Sequence, residues 1–593
     1  MHGDATDGHE DPITTHAVLL VQLNDVYQID TRADYTDEKS LILPRIATLV
    51  RRLRAIYGDN RVRFCLPGDF LAPSCLSKEF KGEQMVSVLN EIGVDLVSFG
   101  NHEFERDILA SDLEARINES RFKWLNLNFE FKDEALQDRL EKSGKMTPVE
   151  VLWLCESHCI VLFGILDANT PDHVGHVHYD PKDFIGILTD SWPEEGAEPE
   201  VTFVAMTHQK VEKDRELADA TPEIALIMGG HDHDVVEQER IKRCLIVKAA
   251  SNARTIRLNW IVAVPRNPKD GPAPPDSETE PERFRAFAKN VYGAHAGIGL
   301  RDALLQTRAP SIEQVNDLSE FVGSGMVDPF TLAGKAQGQN WIFVFSQTVD
   351  MTSPAFARMV PSDPIVEQKI REWNTRSHHS ETPLAIAPVD LEICDNTVRR
   401  YSTNFGNLIA DIVRGHPALT GHPFEADIGL INSGSFRIDR DLQAGEAITE
   451  RTLCDIFYHR NSINRFKVKG SALVAILEQS RQLRDKDKKE GDGEFLQISG
   501  LRVAAPKDGP IAVFVVSDFG KEQAIDLERE YSVATTPYVA SHAYAAHFGT
   551  SSDELHADIA KCVAKSLSEL DEVVFPIVVS KEQRWMFEDA EHV

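Results

Sequence analysis

Five short segments bring together side chains that could do chemistry: LNDVY (Leu23–Tyr27), PGDF (Pro67–Phe70), GNHEFE (Gly100–Glu105), MTHQ (Met206–Gln209) and GGHDH (Gly229–His233). Carboxylates and neutral imidazoles together suit divalent zinc, manganese or iron. Taken singly, each segment has a plainer use. A strand-end aspartate caps a helix or forms a turn, and a lone histidine most often has a structural role. The case for a metal rests on their ordered recurrence along the chain.

The elements that must position these residues read as strands alternating with helices. AVLLVQL, VRFCLP, DLVSFG, CIVLFGIL, VTFVAM and IALIMGG are short apolar runs bounded by turn residues, as expected of strands buried on both faces. Between them, LILPRIATLVRRLRAI and GEQMVSVLNEIG have helical spacing, the first interrupted by an early proline. Asp25, Asp69, Asn101-His102, His208 and His231/His233 each follow the end of such a run. Open α/β sheets bind ligands beyond the carboxyl ends of their strands, so strand ends are expected to deliver these residues to one edge. Gly68, Gly100, Gly229 and Gly230 are expected to let the backbone turn sharply there.

The texture changes after residue 264. PRNPKDGPAPPDSETEPERF (Pro265–Phe284) reads as an exposed linker, and residues 285–362 are too weakly patterned to assign. Asp363-Pro364 is a helix start for IVEQKIREW, and a second α/β region follows from about Pro383.

In order and spacing, the five segments resemble the motifs of the calcineurin-like metallophosphoesterases, and most of all the two-domain 5′-nucleotidase family. The resemblance implies an α/β fold: a layered metallophosphoesterase β-sandwich flanked by helices, followed by a second α/β substrate-binding domain. The corresponding spans are 1–264, a linker, insertion and connecting helix over 265–376, and 377–593. It also implies two divalent or mixed-valent metal ions (zinc, manganese or iron) that activate a water molecule. By position, Asp69 would bridge the ions, Asp25 and His233 would serve one, and Asn101, His208 and His231 the other. His102 matches the family's transition-state histidine. The residue that orients it is an aspartate in the family and Glu105 here.

One departure concerns the first motif, which is Asp-x-His in the family and Asp25-Val26-Tyr27 here. Tyr27 either binds as phenolate, which would favour a ferric ion, or leaves one metal a ligand short, or packs beneath the site. A phenol has an ordinary pKa near 10.

In the C-terminal half, VRRYSTNFGN, INSGSFR and GEFLQISGLR resemble family segments. Arg399, Asn432 and Arg437 would contact substrate, the arginines as an anion clamp; surface ion pairs are their plainer use. FLQISG reads as strand and core. The family holds a nucleobase between two aromatic rings. Here His459, in Tyr458-His459-Arg460-Asn461, stands in for one ring, and the other segment, SHAYAAHF, lacks its glycines and aspartate. Tyr544 or Phe548 could still supply a ring.

The implied activity is hydrolysis of phosphate monoesters, with nucleoside 5′-monophosphates as leading substrates. Alternatives are a sugar phosphate or other small metabolite, a cyclic-nucleotide or nucleotide-sugar diester, or a non-catalytic phosphate-ligand binder. The family's two domains can rotate about the connecting helix, for which Asp363–Trp373 is the candidate.

Composition narrows the partners. With 94 acidic and 63 basic residues among 593, the formal charge is -31, which argues against a nucleic-acid polymer or an anionic membrane as partner. The eight cysteines form no CxxC pair, so a zinc knuckle is not expected. The polar N-terminus, the lack of a membrane-length apolar run and the polar C-terminus lead to the expectation of a soluble cytoplasmic protein, monomeric or homodimeric.

Overall fold

The computed structural model describes residues 17–31, 41–265 (except 106, 157, 169, 171–174, 179–199 and 243), 330–332 and 340–588 (except 416–424, 439, 460–461, 487–491, 518–519, 543, 550–552 and 570–581). The expected linker after Pro265 lies outside the described residues. The chain divides into two compact units, 1–377 and 378–593.

In the first unit, β1 (Ala17–Gln22), β2 (Val62–Pro67), β3 (Leu96–Ser98), β4 (Lys123–Leu125) and β5 (Met146–Thr147) run parallel. The second sheet contains β6 (Val149–Cys155), β7 (His158–Leu166), β8 (Glu200–His208), β9 (Ile224–Gly229), β10 (Val236–Ile241) and β11 (Cys244–Lys248) in the order β10-β11-β9-β8-β7-β6. Its middle strands β11, β9, β8 and β7 are parallel. Val18, Leu20, Cys65 and Leu96 from the first sheet share one buried cluster with Leu162, Val204, Met206, Met228 and Val247 from the second. The sandwich core therefore lies between the sheets. The apolar runs expected as strands are strands because both of their faces are covered.

Helices cover the outer face. Ile42–Tyr57 buries Ile42, Leu43, Ile46, Leu49, Val50 and Leu53, the spacing of one helical face. Its proline, Pro44, falls in the first turn, where a backbone N–H has no partner within the helix. Pro364–Arg376 starts at Asp363, whose side chain accepts from the N–H groups of Ile365 and Val366, and it packs on Ile42–Tyr57 and Glu83–Ile92. No helix among the described residues is long and apolar enough to cross a membrane.

The first sheet continues past residue 264. β12 (Thr255–Pro265) pairs antiparallel with β1 on one side and with β14 (Asn340–Asp350) on the other, and β13 (Phe330–Leu332) extends that edge. Part of the stretch left unassigned in the sequence thus builds the N-terminal sheet. Its pairing is set by a strand 75 or more residues earlier, beyond the reach of local patterning.

The second unit is built on a five-stranded sheet with Ile428–Asn432 near its centre, flanked by helix Asn404–Arg414, every residue of which is buried. FLQISG contributes the fully buried strand Leu496–Ser499, as expected. Gln497 donates to the carbonyls of Val398 and Tyr401, which ties this strand to the Arg399 loop.

Candidate metal centre

The parallel strands of both sheets end at one rim. Asp25 follows β1, Asp69 follows β2, Asn101 follows β3, His208 closes β8, and His231 and His233 follow β9. Ligand atoms of Asp25, Asp69 and His208 all lie within 4.8 Å of one another. His231 Nδ1 is 3.0 Å from Asn101 Oδ1, and the His231 and His208 rings meet edge-on. His233 Nε2 is 3.7 Å from Asp25 Oδ1. All six expected ligands are therefore brought to this rim.

The turns are made differently from the expectation. Of the four glycines, Gly68 takes a positive φ, 77°. Gly100 has φ -116°, and a Cβ there would lie 2.2 Å from Asp69 Oδ1. At Gly230 a Cβ would meet the Pro67 carbonyl oxygen at 2.6 Å. Space, more than conformational freedom, excludes a side chain at these two positions. The left-handed backbone is taken by the functional residues themselves: Asp25 (54°), Asp69 (57°), His231 (83°) and His233 (64°). Such conformations are costly for non-glycine residues and persist where the surroundings enforce them.

Those surroundings are polar and buried. Asn24 donates to Asp25 Oδ2 and to the Ala249 carbonyl, joining the end of β1 to the end of β11. The His231 N–H donates to the Asp25 carboxylate. Lys248 Nζ is fully buried and donates to the carbonyls of Gln209 and Gly230, with Asp214 2.9 Å away and Asp232 also paired to it. It clamps the loops that carry His208, His231 and His233. Glu103 is fully buried and accepts from the N–H groups of Asp69, Phe70, Leu71 and Gly100. Burial, with the nearby Asp69 charge, pushes its carboxyl up to about 7 against the pull of these donors. Neither Glu103 nor Lys248 was given a role from the sequence. For Glu103 the signal was present: an acid three residues after a turn glycine matches the acidic half of a capping box.

The donor set fits a cation. His208 Nδ1 is 2.9 Å from the Pro67 carbonyl oxygen, which holds the ring proton on that nitrogen. Nε2 faces Asp69 Oδ2 at 2.9 Å and Asp25 Oδ1 at 3.8 Å, with no aligned hydrogen bond. Burial resists a charged ring, but Asp69 and Asp25 outweigh it and push His208 up to about 10. The two carboxylates demand positive charge at this point, and a metal ion answers the same demand. Asp69 is held well below the usual carboxylate range by His208 and His102 despite its burial. His231 is held well below its ordinary value, by burial first and then by the His208 charge, which keeps it a neutral imidazole.

His102 stands beside this set. Its Nδ1 is 2.6 Å from Glu105 Oε1, its Nε2 is 3.8 Å from Asp69 Oδ2, and its backbone N–H donates to Asp69 Oδ1. Glu105 thus makes the contact expected of it. Tyr27 does not pack beneath the site: its hydroxyl lies 2.7 Å from His233 Nε2.

In the second unit the expected substrate residues have mixed fates. Arg399 is paired with Asp395, one helical turn earlier, and both side chains are largely buried. Asn432 donates to the Gly493 carbonyl and accepts from Ser435, so its amide shapes the local turns. Arg437 lies 3.4 Å from His459 Nε2, while Arg460 and Asn461 fall outside the described residues. Tyr544 does not offer a ring face. It is 0% exposed in the core and donates to the Glu494 carbonyl. Phe548 packs on Phe466. Among the described residues of this segment, Tyr538 is the exposed aromatic, at 41%, stacked on His542 at 4.2 Å and hydrogen-bonded to Glu494.

Residues 383–547 match the family model for the 5′-nucleotidase C-terminal domain. The resemblance to the 5′-nucleotidase family is borne out. Protein 5NUC of Lutzomyia longipalpis is 22% identical over 510 residues, covering 82% of this chain and 77% of the relative. The 5′-nucleotidase of Bos taurus is 22% identical over 466 residues, covering 77% and 69%. Among solved structures, a 5′-nucleotidase precursor from Thermus thermophilus superposes with a TM-score of 0.67 at 17% identity, covering 97% of this chain and 100% of that one. The 5′-nucleotidase of Candida albicans gives 0.57 at 13% identity, covering 93% and 98%. At these identities the structural likeness speaks for the two-domain fold, and the family model covers the C-terminal domain.

Proposed function

We propose that this protein is a metal-dependent phosphoric ester hydrolase acting on phosphate monoesters. The observation that carries this reading is the meeting of Asp25, Asp69 and His208 within 4.8 Å, with His102 fixed by Glu105 beside them. Asp69 is assigned to both metal positions, Asp25 and His233 to one, and Asn101, His208 and His231 to the other. When bound, such ions polarise a phosphoryl oxygen and lower the pKa of water.

The chain's own residues do the rest. Glu105 takes the Nδ1 side of His102, so Nε2 is the atom that meets charge developing on the phosphoryl group. The Asp69 carboxylate receives the His102 N–H, which sets the imidazole's distance from the metal ligands. No serine, cysteine or threonine is assigned as a nucleophile, so no covalent phospho-enzyme is proposed.

Nucleoside 5′-monophosphates are the leading substrates, supported by the names of the curated relatives. A sugar phosphate or similar metabolite is the second reading, favoured by the burial of Tyr544, which leaves the expected base clamp without that ring. Cell fractionation tests the expected cytoplasmic location. Turnover of nucleotides, sugar phosphates, aryl phosphate and diesters, each with added manganese, zinc or iron, tests the activity. Binding without hydrolysis of any ester would overturn it in favour of a phosphate-ligand binder.

A further inference from the structure

Tyr27 occupies the place of an expected imidazole, and its hydroxyl points among the candidate ligands. The residue is 4% exposed. Its oxygen lies 2.7 Å from His233 Nε2, 3.2 Å from Asp25 Oδ1 and 3.4 Å from Asp69 Oδ2. Bonds of about 2.1 Å to one cation set neighbouring donor atoms roughly 3.0 Å apart at a right angle and roughly 3.4 Å apart at the tetrahedral angle. The separations from Asp25 and Asp69 fall within that interval, and the one from His233 is a shorter, hydrogen-bonded contact.

The position is also held in place. The Tyr27 N–H donates to Asn252 Oδ1, and the Asn252 N–H donates to the Asp25 carbonyl. The ring meets His102 and His233 edge-on, at centroid distances of 5.8 and 5.4 Å. Backbone and ring contacts thus direct the oxygen to one spot.

Charge decides what an oxygen there would bind. With a phenol, the donors Asp25, Asp69, His233 and Tyr27 carry two negative charges; with a phenolate, they carry three. A bound cation lowers the pKa of a hydroxyl that ligates it, and hard oxygen donors go with hard cations. The geometry points to Tyr27 as a phenolate ligand that gives the Asp25–His233 position a preference for ferric iron, leaving a divalent ion for Asn101, His208 and His231. This inference rests on the metal-dependent reading above. Binding balances without redox change: the hydroxyl releases one proton to solvent, and its oxygen donates an electron pair to an iron already ferric.

The test is to strip the protein with a chelator, add ferric nitrilotriacetate and then zinc, and record metal content, proton release and visible absorption. The expected result is one iron per chain with a phenolate-to-iron charge-transfer band. Tyr27→Phe should lose the band completely while still taking up zinc, and Tyr27→His should bind zinc at both positions without colour. Iron bound stoichiometrically without the band, or a band that survives in Tyr27→Phe, would overturn the assignment. A colourless wild type that refuses iron yet hydrolyses monoesters with zinc would overturn this inference alone. One that takes up no metal at all would overturn the metal centre with it.

Discussion

The rim of the first unit and the aromatic region of the second use their motif residues in opposite ways. At the rim, Asp25, Asp69 and His208 converge, and His102 finds its orienting carboxylate in Glu105. In the second unit, Arg399 is engaged by Asp395, Asn432 by its own turn and Tyr544 by the core. On the proposed function, the difference follows from what each region would recognise. A cation accepts few donor types within narrow distances, so few side chains can stand in for its ligands. A ring face or an anion clamp can be rebuilt from several side chains at several positions, and Tyr538 stacked on His542 offers one such rebuilding.

The largest effect expected is at the rim. Asp69→Ala removes the carboxylate assigned to both metal positions and should cost several kcal/mol of transition-state stabilisation, roughly a thousandfold or more in kcat/KM. Steady-state kinetics and metal content check it, and near-normal turnover would break the contrast from its stronger side. Glu105→Ala should lower kcat about 10- to 100-fold with KM little changed, the usual range for a group that orients an active residue. Glu105→Asp should recover part of the loss.

On the weaker side, Tyr538→Ala should raise KM for a nucleoside monophosphate about five- to tenfold, near 1 kcal/mol for one exposed stacking ring, and leave aryl phosphate turnover unchanged. Equal effects on both substrates would show that Tyr538 is structural and that the second unit recognises its ligand elsewhere.

A separate effect, read in stability and not in turnover, concerns His208. In chelator-treated protein His208 is raised from 6.5 to about 10, so its contribution is fully present below pH 6.5 and is lost as pH rises through about 10. Added manganese or zinc should flatten that slope and stabilise the fold by about 2.7 kcal/mol at a hundredfold excess over Kd. Thermal unfolding from pH 6 to 10, with and without metal, measures both.

Much of the rim was legible because each candidate ligand sits just after an apolar run, and a run buried on both faces announces a strand end. What was not legible depended on distance along the chain. Asn340–Asp350 joins the first sheet only through a partner far away in sequence, and Lys248 becomes a clamp only when β11 lies beside β9. The turn chemistry misled for another reason: glycines were expected to absorb the unusual dihedral angles, whereas Asp25, Asp69, His231 and His233 adopt them. The aromatic segment SHAYAAHF misled because helix Pro537–Ser541 directs Tyr538 outward and the following turn sends Tyr544 inward, a choice that composition does not encode.

Glu103 gathers amide hydrogens from the loop bearing Asp69 and from the glycine that precedes Asn101. The loop that presents Asp69 and the loop that presents His102 are thereby fastened to one internal anchor. Both loops answer to one buried carboxylate, so its loss would loosen the spacing between acid and imidazole from both sides at once.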